Sequence, residues 1–127
     1  MQVLVVDDKQ VILDSLSKLL IAHGHFVDTA NHGLAASEKL QTSDYDLLII
    51  DHLMPIMNGI KLTKLVRQNQ CYANVPVIFM TTQGQKSIEM HCNTDIFSAI
   101  IDKPIDEQQL VKLINELISS NTRYQLL

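Results

Sequence analysis

Five short runs of β-branched and aliphatic residues recur along the chain, at Val3–Val6, Phe26–Thr29, Leu47–Ile50, Val77–Met80 and Phe97–Ile101. Each has the length of a strand. Three are almost continuously apolar, which is the pattern of strands covered on both faces in a parallel sheet rather than of half-solvated antiparallel ones. Helical spacing fills the gaps. Ile12, Leu16, Leu19 and Leu20 recur at i, i+4, i+7 and i+8, and Leu110, Leu113, Ile114, Leu117 and Ile118 trace an apolar stripe, so both segments predict helices packed on the sheet. Gly33–Leu40, Ile60–Arg67 and Gln85–His91 predict shorter, more polar helices, the last anchored only by Ile88, Met90 and Cys92.

The punctuation agrees. Gly24 ends the first helix, Asn58-Gly59 opens the third, Pro76 precedes the fourth strand and Pro104 closes the fifth. The order is (βα)5. Right-handed crossovers then favour a doubly wound α/β fold with a five-stranded parallel sheet in the order 2-1-3-4-5, whose ligands gather beyond the carboxyl ends of the strands. One domain over residues 1–119 is expected, with 120–127 as a C-terminal tail or the start of a linker.

Composition narrows the function classes. The chain has 127 residues, 46% of them hydrophobic, which is enough for one core and not two. Ten basic against 14 acidic residues give a net charge of −4, so no general cationic field draws in nucleic acid or anionic lipid. Apolar runs of about four residues fall far short of the roughly 18 to 20 needed to span a membrane. No secretory signal is evident, and a soluble protein of the cytoplasm is the expectation. Cys71 and Cys92 form neither a disulfide framework nor a CxxC pair, which predicts two reduced, structural thiols.

The predicted carboxyl edge concentrates the candidate chemistry. Asp7 and Asp8 follow the first strand, Asp51 the third, Thr81 the fourth and Lys103 the fifth. Singly, an Asp after a strand is a common cap or turn former. Together, three converging carboxylates repel, by about 1 kcal/mol per pair at 4 Å in water and about 4 at an effective dielectric near 20. Either one stays protonated or a cation binds, and an all-oxygen set suits Mg²⁺ or Mn²⁺ rather than zinc. Asp51 is placed to act as a nucleophile that forms an aspartyl phosphate. Thr81, Lys103 and backbone N–H groups after Asp51 would meet the phosphoryl oxygens.

LVVDD at Leu4–Asp8, YDLLIIDHLMPIMNG at Tyr45–Gly59, VIFMTT at Val77–Thr82 and the Lys103-Pro104 pair resemble the receiver domain of two-component response regulators, over about residues 2–119. The resemblance implies the flavodoxin-like, CheY-like fold already derived. It implies Asp51 as phosphoacceptor, direct Mg²⁺ ligation by Asp8, Asp51 and the main-chain carbonyl of Leu53, and Asp7 acting mainly through metal-bound water. It further implies that Thr81 shifts onto a phosphoryl oxygen, that Lys103 pairs with the phosphate, and that Lys103-Pro104 is a cis peptide.

Three positions depart from the family pattern. Ile100 stands where a switching Tyr or Phe is usual, Thr82 replaces a small residue after the switch threonine, and Ile96-Phe97 replaces Gly-Ala before the fifth strand. The readout is then expected to use Thr81, the following loop and the flanking helix, with Ile100 giving apolar contact. By the same resemblance, Leu53 and Gln83 occupy the places where family members tune the lifetime of the acyl phosphate, with plain packing and solvation as the alternative.

His23, His25, His32, His52 and His91 lack metal-ligand spacing, and most are expected on the surface or in loops. Strand alternation turns His52 away from Asp51, so it is expected to pack or be solvated rather than to catalyse. Met54, Met57, Met80 and Met90 are expected to serve as adaptable packing. GxGxxG, GxSxG and the P-loop spacing are all absent.

The expected function is a phosphorelay switch rather than an enzyme with a separate substrate. The resemblance implies a histidine kinase or histidine phosphotransferase as donor, and a downstream effector docking on the fourth helix, fifth strand and fifth helix. A homodimer is compatible with this. The alternative is an interaction module independent of phosphorylation. A stand-alone phosphatase is disfavoured, because a second acid two residues beyond the nucleophile is replaced by Leu53 and no residues remain for a cap.

Overall fold

A computed structural model describes residues 1–120. Its sheet has five parallel strands in the order β2-β1-β3-β4-β5. They are β1 (Gln2–Val6), β2 (Phe26–Ala30), β3 (Leu47–Asp51), β4 (Val77–Thr81) and β5 (Ala99–Asp102). The helices are α1 (Gln10–Ala22), α2 (Gly33–Thr42), α3 (Gly59–Gln68), α4 (Gln85–His91) and α5 (Glu107–Ser120). Short 3₁₀ turns at Gln70–Tyr72 and Thr94–Ile96 precede β4 and β5.

Alternation along the strands divides the core into two layers. Val3, Val5, Leu47, Ile49, Ile78, Met80 and Ile101 pack against Leu13, Leu16 and Leu20 of α1 and Leu110 and Ile114 of α5. Leu4, Val6, Leu48, Ile50, Val77 and Phe79 face the other way, onto Ala36 and Leu40 of α2, Leu62 and Val66 of α3 and Ile88 of α4. Every residue of β3 and β4 is buried, as a central parallel strand requires.

Side-chain caps set the helix starts. His32 Nδ1 accepts the Ala35 N–H at 3.1 Å, Asn58 Oδ1 accepts the Lys61 N–H at 3.0 Å, and Asp106 Oδ1 accepts the Gln108 N–H at 3.0 Å. Gly24, at φ 86°, ends α1 by supplying the left-handed conformation that follows many helices.

Several boundaries and packing roles differ from the sequence reading. β5 starts at Ala99, not Phe97: Phe97 follows a 3₁₀ turn and stacks on Phe79 with ring centroids 4.1 Å apart. Its apolarity reports burial against a neighbouring strand rather than membership of one. α4 is held by buried Ile88 and half-buried Cys92, whereas Met90 points outward and is 84% exposed. Cys71 and Cys92 are both free, and Cys71 is exposed, so it is no core thiol. Ser120 closes α5 instead of opening a tail, and residues 121–127 of the expected tail lie outside the described residues.

Candidate functional site

Strand register assembles the site. Val6 pairs with Ile50 across β1 and β3, so the next residues, Asp7 just past β1 and Asp51 at the end of β3, stand side by side. Thr81 pairs with Asp102 across β4 and β5, and the Lys103 N–H donates to the Thr81 carbonyl at 2.9 Å, which continues the ladder to the lysine. The Lys103–Pro104 peptide is cis.

One ligand oxygen from each of Asp7, Asp8 and Asp51 falls within 4.8 Å of the others. Asp7 and Asp51 are buried, whereas Asp8 opens to solvent. Lys103 Nζ bridges the buried pair, at 2.7 Å from Asp7 Oδ2 and 2.8 Å from Asp51 Oδ1. Asp7 Oδ1 accepts the Lys9 N–H at 2.9 Å. Lys9 Nζ reaches Asp8 at 3.5 Å, but this pair is largely solvated and contributes little.

Burial pushes the Asp51 carboxyl above its usual range, and the charge of Asp7 adds to this, against the opposing pull of Lys103. Burial works to lower the Lys103 ammonium, but its bonds to Asp51 and Asp7 win and hold it above its usual value. Three carboxylates sharing one close ammonium leave the pocket negative. Asp51 Oδ2 is the only buried side-chain polar atom among the described residues without a hydrogen-bond partner. A native structure rarely leaves such an atom uncompensated. An orphaned carboxylate oxygen, two neighbouring carboxylates and no sulfur or nitrogen ligand fit a hard, oxygen-seeking divalent cation.

Alternation sends the remaining predicted residues elsewhere. Thr81 is in register with Val77 and Phe79 and so belongs to the layer of α2, α3 and α4. Its hydroxyl oxygen accepts the Gln83 N–H at 3.0 Å and lies 3.0 Å from His52 Nδ1. His52 is buried as expected of a packing residue, with its ring 5.3 Å from that of Phe79. Burial, with a smaller effect of His91, lowers its pKa. Its bond to Thr81 was absent from the sequence reading; the one signal for it is register, since Asp51 pairs with Met80 and the next residues on each strand are His52 and Thr81. Leu53, Thr82 and Gln83 lie exposed around the mouth, and Ile100 packs half-buried against the same layer as Phe79.

Two backbone features hold the β3–α3 loop. A Cβ on Gly59 would lie 2.1 Å from the Asp51 carbonyl oxygen, so only glycine lets α3 begin there, and its N–H donates to the His52 carbonyl at 2.8 Å. Ile56 has φ 69° and sits in a three-residue turn closed by the Met57 N–H on the Pro55 carbonyl at 2.7 Å.

The doubly wound sheet thus carries an acid cluster and a lysine at its carboxyl edge. Residues 3–115 match the family model described as the response regulator receiver domain, and the chain belongs to that family. It is 34% identical over 126 residues to chemotaxis protein CheY1 of Helicobacter pylori, covering 95% of this chain and 99% of that protein. It is 31% identical over 123 residues to probable transcriptional regulator ycf29 of Pyropia yezoensis, covering 93% of this chain but 53% of that protein, so the chain spans about half the length of such relatives. The response regulator TrrA of Thermotoga maritima, solved in complex with Mg²⁺-BeF, superposes with a TM-score of 0.81 at 25% identity, covering 91% of this chain and 97% of that one.

Proposed function

We propose that the chain is a phosphorylation-dependent switch in which Asp51 accepts a phosphoryl group from a phosphohistidine of a histidine kinase or histidine phosphotransferase. The observation that carries this reading is Asp51 itself: buried, with one oxygen on Lys103 and the other without a partner. In the transfer, an Asp51 oxygen bonds to phosphorus as the bond from phosphorus to the donor imidazole nitrogen breaks, and that nitrogen keeps the electron pair. Lys103 neutralises the entering oxygens, and its second bond to Asp7 fixes its position. Asp8, Asp51 and the Leu53 carbonyl would hold Mg²⁺, with Asp7 acting through a water. The bound cation would supply positive charge at the phosphoryl oxygens. The Mg²⁺-BeF complex of TrrA supports this choice of ion.

Thr81 donates its hydroxyl to a phosphoryl oxygen once Asp51 is modified, and a pre-existing active conformation gains population. The effector surface comprises α4, β5 and α5. No separate substrate is turned over; the only catalysis is the chain's own phosphorylation and hydrolysis. A cytoplasmic setting suits such a donor, and no helix among the described residues is long and apolar enough to cross a membrane.

The test is Mg²⁺-dependent labelling by acetyl phosphate, read by intact mass. Wild type should gain one phosphoryl group and Asp51→Asn none. Equal labelling of both, or of neither, overturns the proposal.

A further inference from the structure

Thr81 is completely buried, and its hydroxyl has one hydrogen to give. The Gln83 N–H donates to one of the two lone pairs of Oγ1 at 3.0 Å, and the buried hydroxyl hydrogen still needs an acceptor. The other group within reach is His52 Nδ1, at 3.0 Å. We propose that His52 Nδ1 accepts the Thr81 hydroxyl proton in the resting chain, which makes His52 a positioning residue that locks Thr81 away from Asp51. The inference rests on the phosphoacceptor reading above and adds to it the group that Thr81 must leave.

The lock is rigidly built. The His52 ring lies tilted against Phe79 at 5.3 Å, and Phe79 stacks on Phe97 at 4.1 Å, so a column of three rings runs from the end of β3 through β4 to the approach to β5. Because His52 immediately follows Asp51, modification of the acid and release of the histidine occur on adjacent residues. A hydroxyl with one proton cannot serve His52 and a phosphoryl oxygen together. Release leaves Nδ1 without its partner, and the ring has somewhere to turn. It lines a cleft of about 550 Å³ between α3 and α4, together with Lys61, Lys64, Ser87 and His91. Position 100, aliphatic in this chain, has no ring to move; His52 supplies one on the other side of Thr81.

The test uses the full chain with Mg²⁺ and beryllofluoride as the phosphoryl stand-in, with histidine ring nitrogens labelled for NMR. In the free wild type, His52 should carry its proton on Nε2 with Nδ1 bare, and saturation with beryllofluoride should shift the Nδ1 signal. His52→Phe keeps a ring without the acceptor and should bind beryllofluoride about fivefold more tightly, the population shift of one ordinary net hydrogen bond. His52→Asn, which places a carboxamide oxygen near the former Nδ1, should restore wild-type affinity.

A proton on Nδ1 in the free wild type overturns the lock without need of any variant. So does unchanged affinity in His52→Phe, or His52→Asn behaving like His52→Phe. If wild type binds no beryllofluoride at saturating Mg²⁺, the phosphoacceptor reading falls and the lock with it. If wild type binds and the variants do not differ, the lock alone falls.

Discussion

Lys103 Nζ lies 2.8 Å from Asp51 Oδ1, and both side chains are almost entirely buried. This contact is what allows three acids to share one end of the sheet. Lys103→Met should lower stability at neutral pH without divalent cations by about 3 kcal/mol, the scale of breaking a buried pair from one side. Added Mg²⁺ should recover much of the loss by binding the folded state alone, with about 2.7 kcal/mol available at one hundred times Kd. Urea unfolding with and without Mg²⁺ measures both effects.

The raised pKa of Asp51 has a defined sign. A folded-state value above the unfolded one means that the native chain binds the extra proton, so ionised Asp51 costs stability above the raised value. That cost fades as pH falls through it toward the unfolded value near 3.9. Burial lowers the pKa of His52 and, more strongly than the nearby N-terminus and His23, that of His25, so these two change stability in the opposite sense below about 6.5. The comparison of wild type with Asp51→Asn largely removes their contribution. Without metal, Asp51→Asn should be the more stable at pH 7, and the gap should close toward pH 4. A gap independent of pH contradicts the assignment.

Ile56 combines φ 69° with complete exposure. A β-branched residue at positive φ is strained, by roughly 1–2 kcal/mol, and this side chain buries nothing in return. Ile56→Asn should therefore stabilise the chain by about 0.5–1 kcal/mol in chemical denaturation. Ile56→Gly should gain less, because glycine also frees the unfolded chain.

Arg67, at the end of α3, gives all its hydrogen bonds to backbone. Nη1 donates to the carbonyls of Tyr72 at 3.0 Å and Val75 at 2.6 Å, and Nε and Nη2 donate to that of Ile96 at 2.9 and 2.8 Å. Arg67→Met should cost about 2–4 kcal/mol by stripping these carbonyls of their donor. Arg67→Lys should recover only part of it, since an ammonium cannot span the same fork. Thermal unfolding gives the ranking, and faster amide exchange around Phe97 would locate the damage.

The fold was legible because the runs Val3–Val6, Leu47–Ile50 and Val77–Met80 are apolar without interruption, and glycine, proline and asparagine mark the turns. Phe97 misled because hydrophobicity records burial and not backbone pairing. Asp7, Asp8, Asp51 and Lys103 could be placed together because each sits at or just beyond the carboxyl end of a strand of one sheet. The bond between His52 and Thr81 could not be read in this way. It depends on which residue of β3 lies beside which residue of β4, and a single chain's periodicity carries no offset between strands. Arg67 was hidden for a related reason: its partners are carbonyls, which every residue possesses.

The missing side chain at Gly59 fixes the mechanical character of the site. With α3 pressed against the main chain of Asp51, the acid is seated like a post in masonry, and larger residues at 59 would lift it. Motion on modification must then belong to the groups that approach the post.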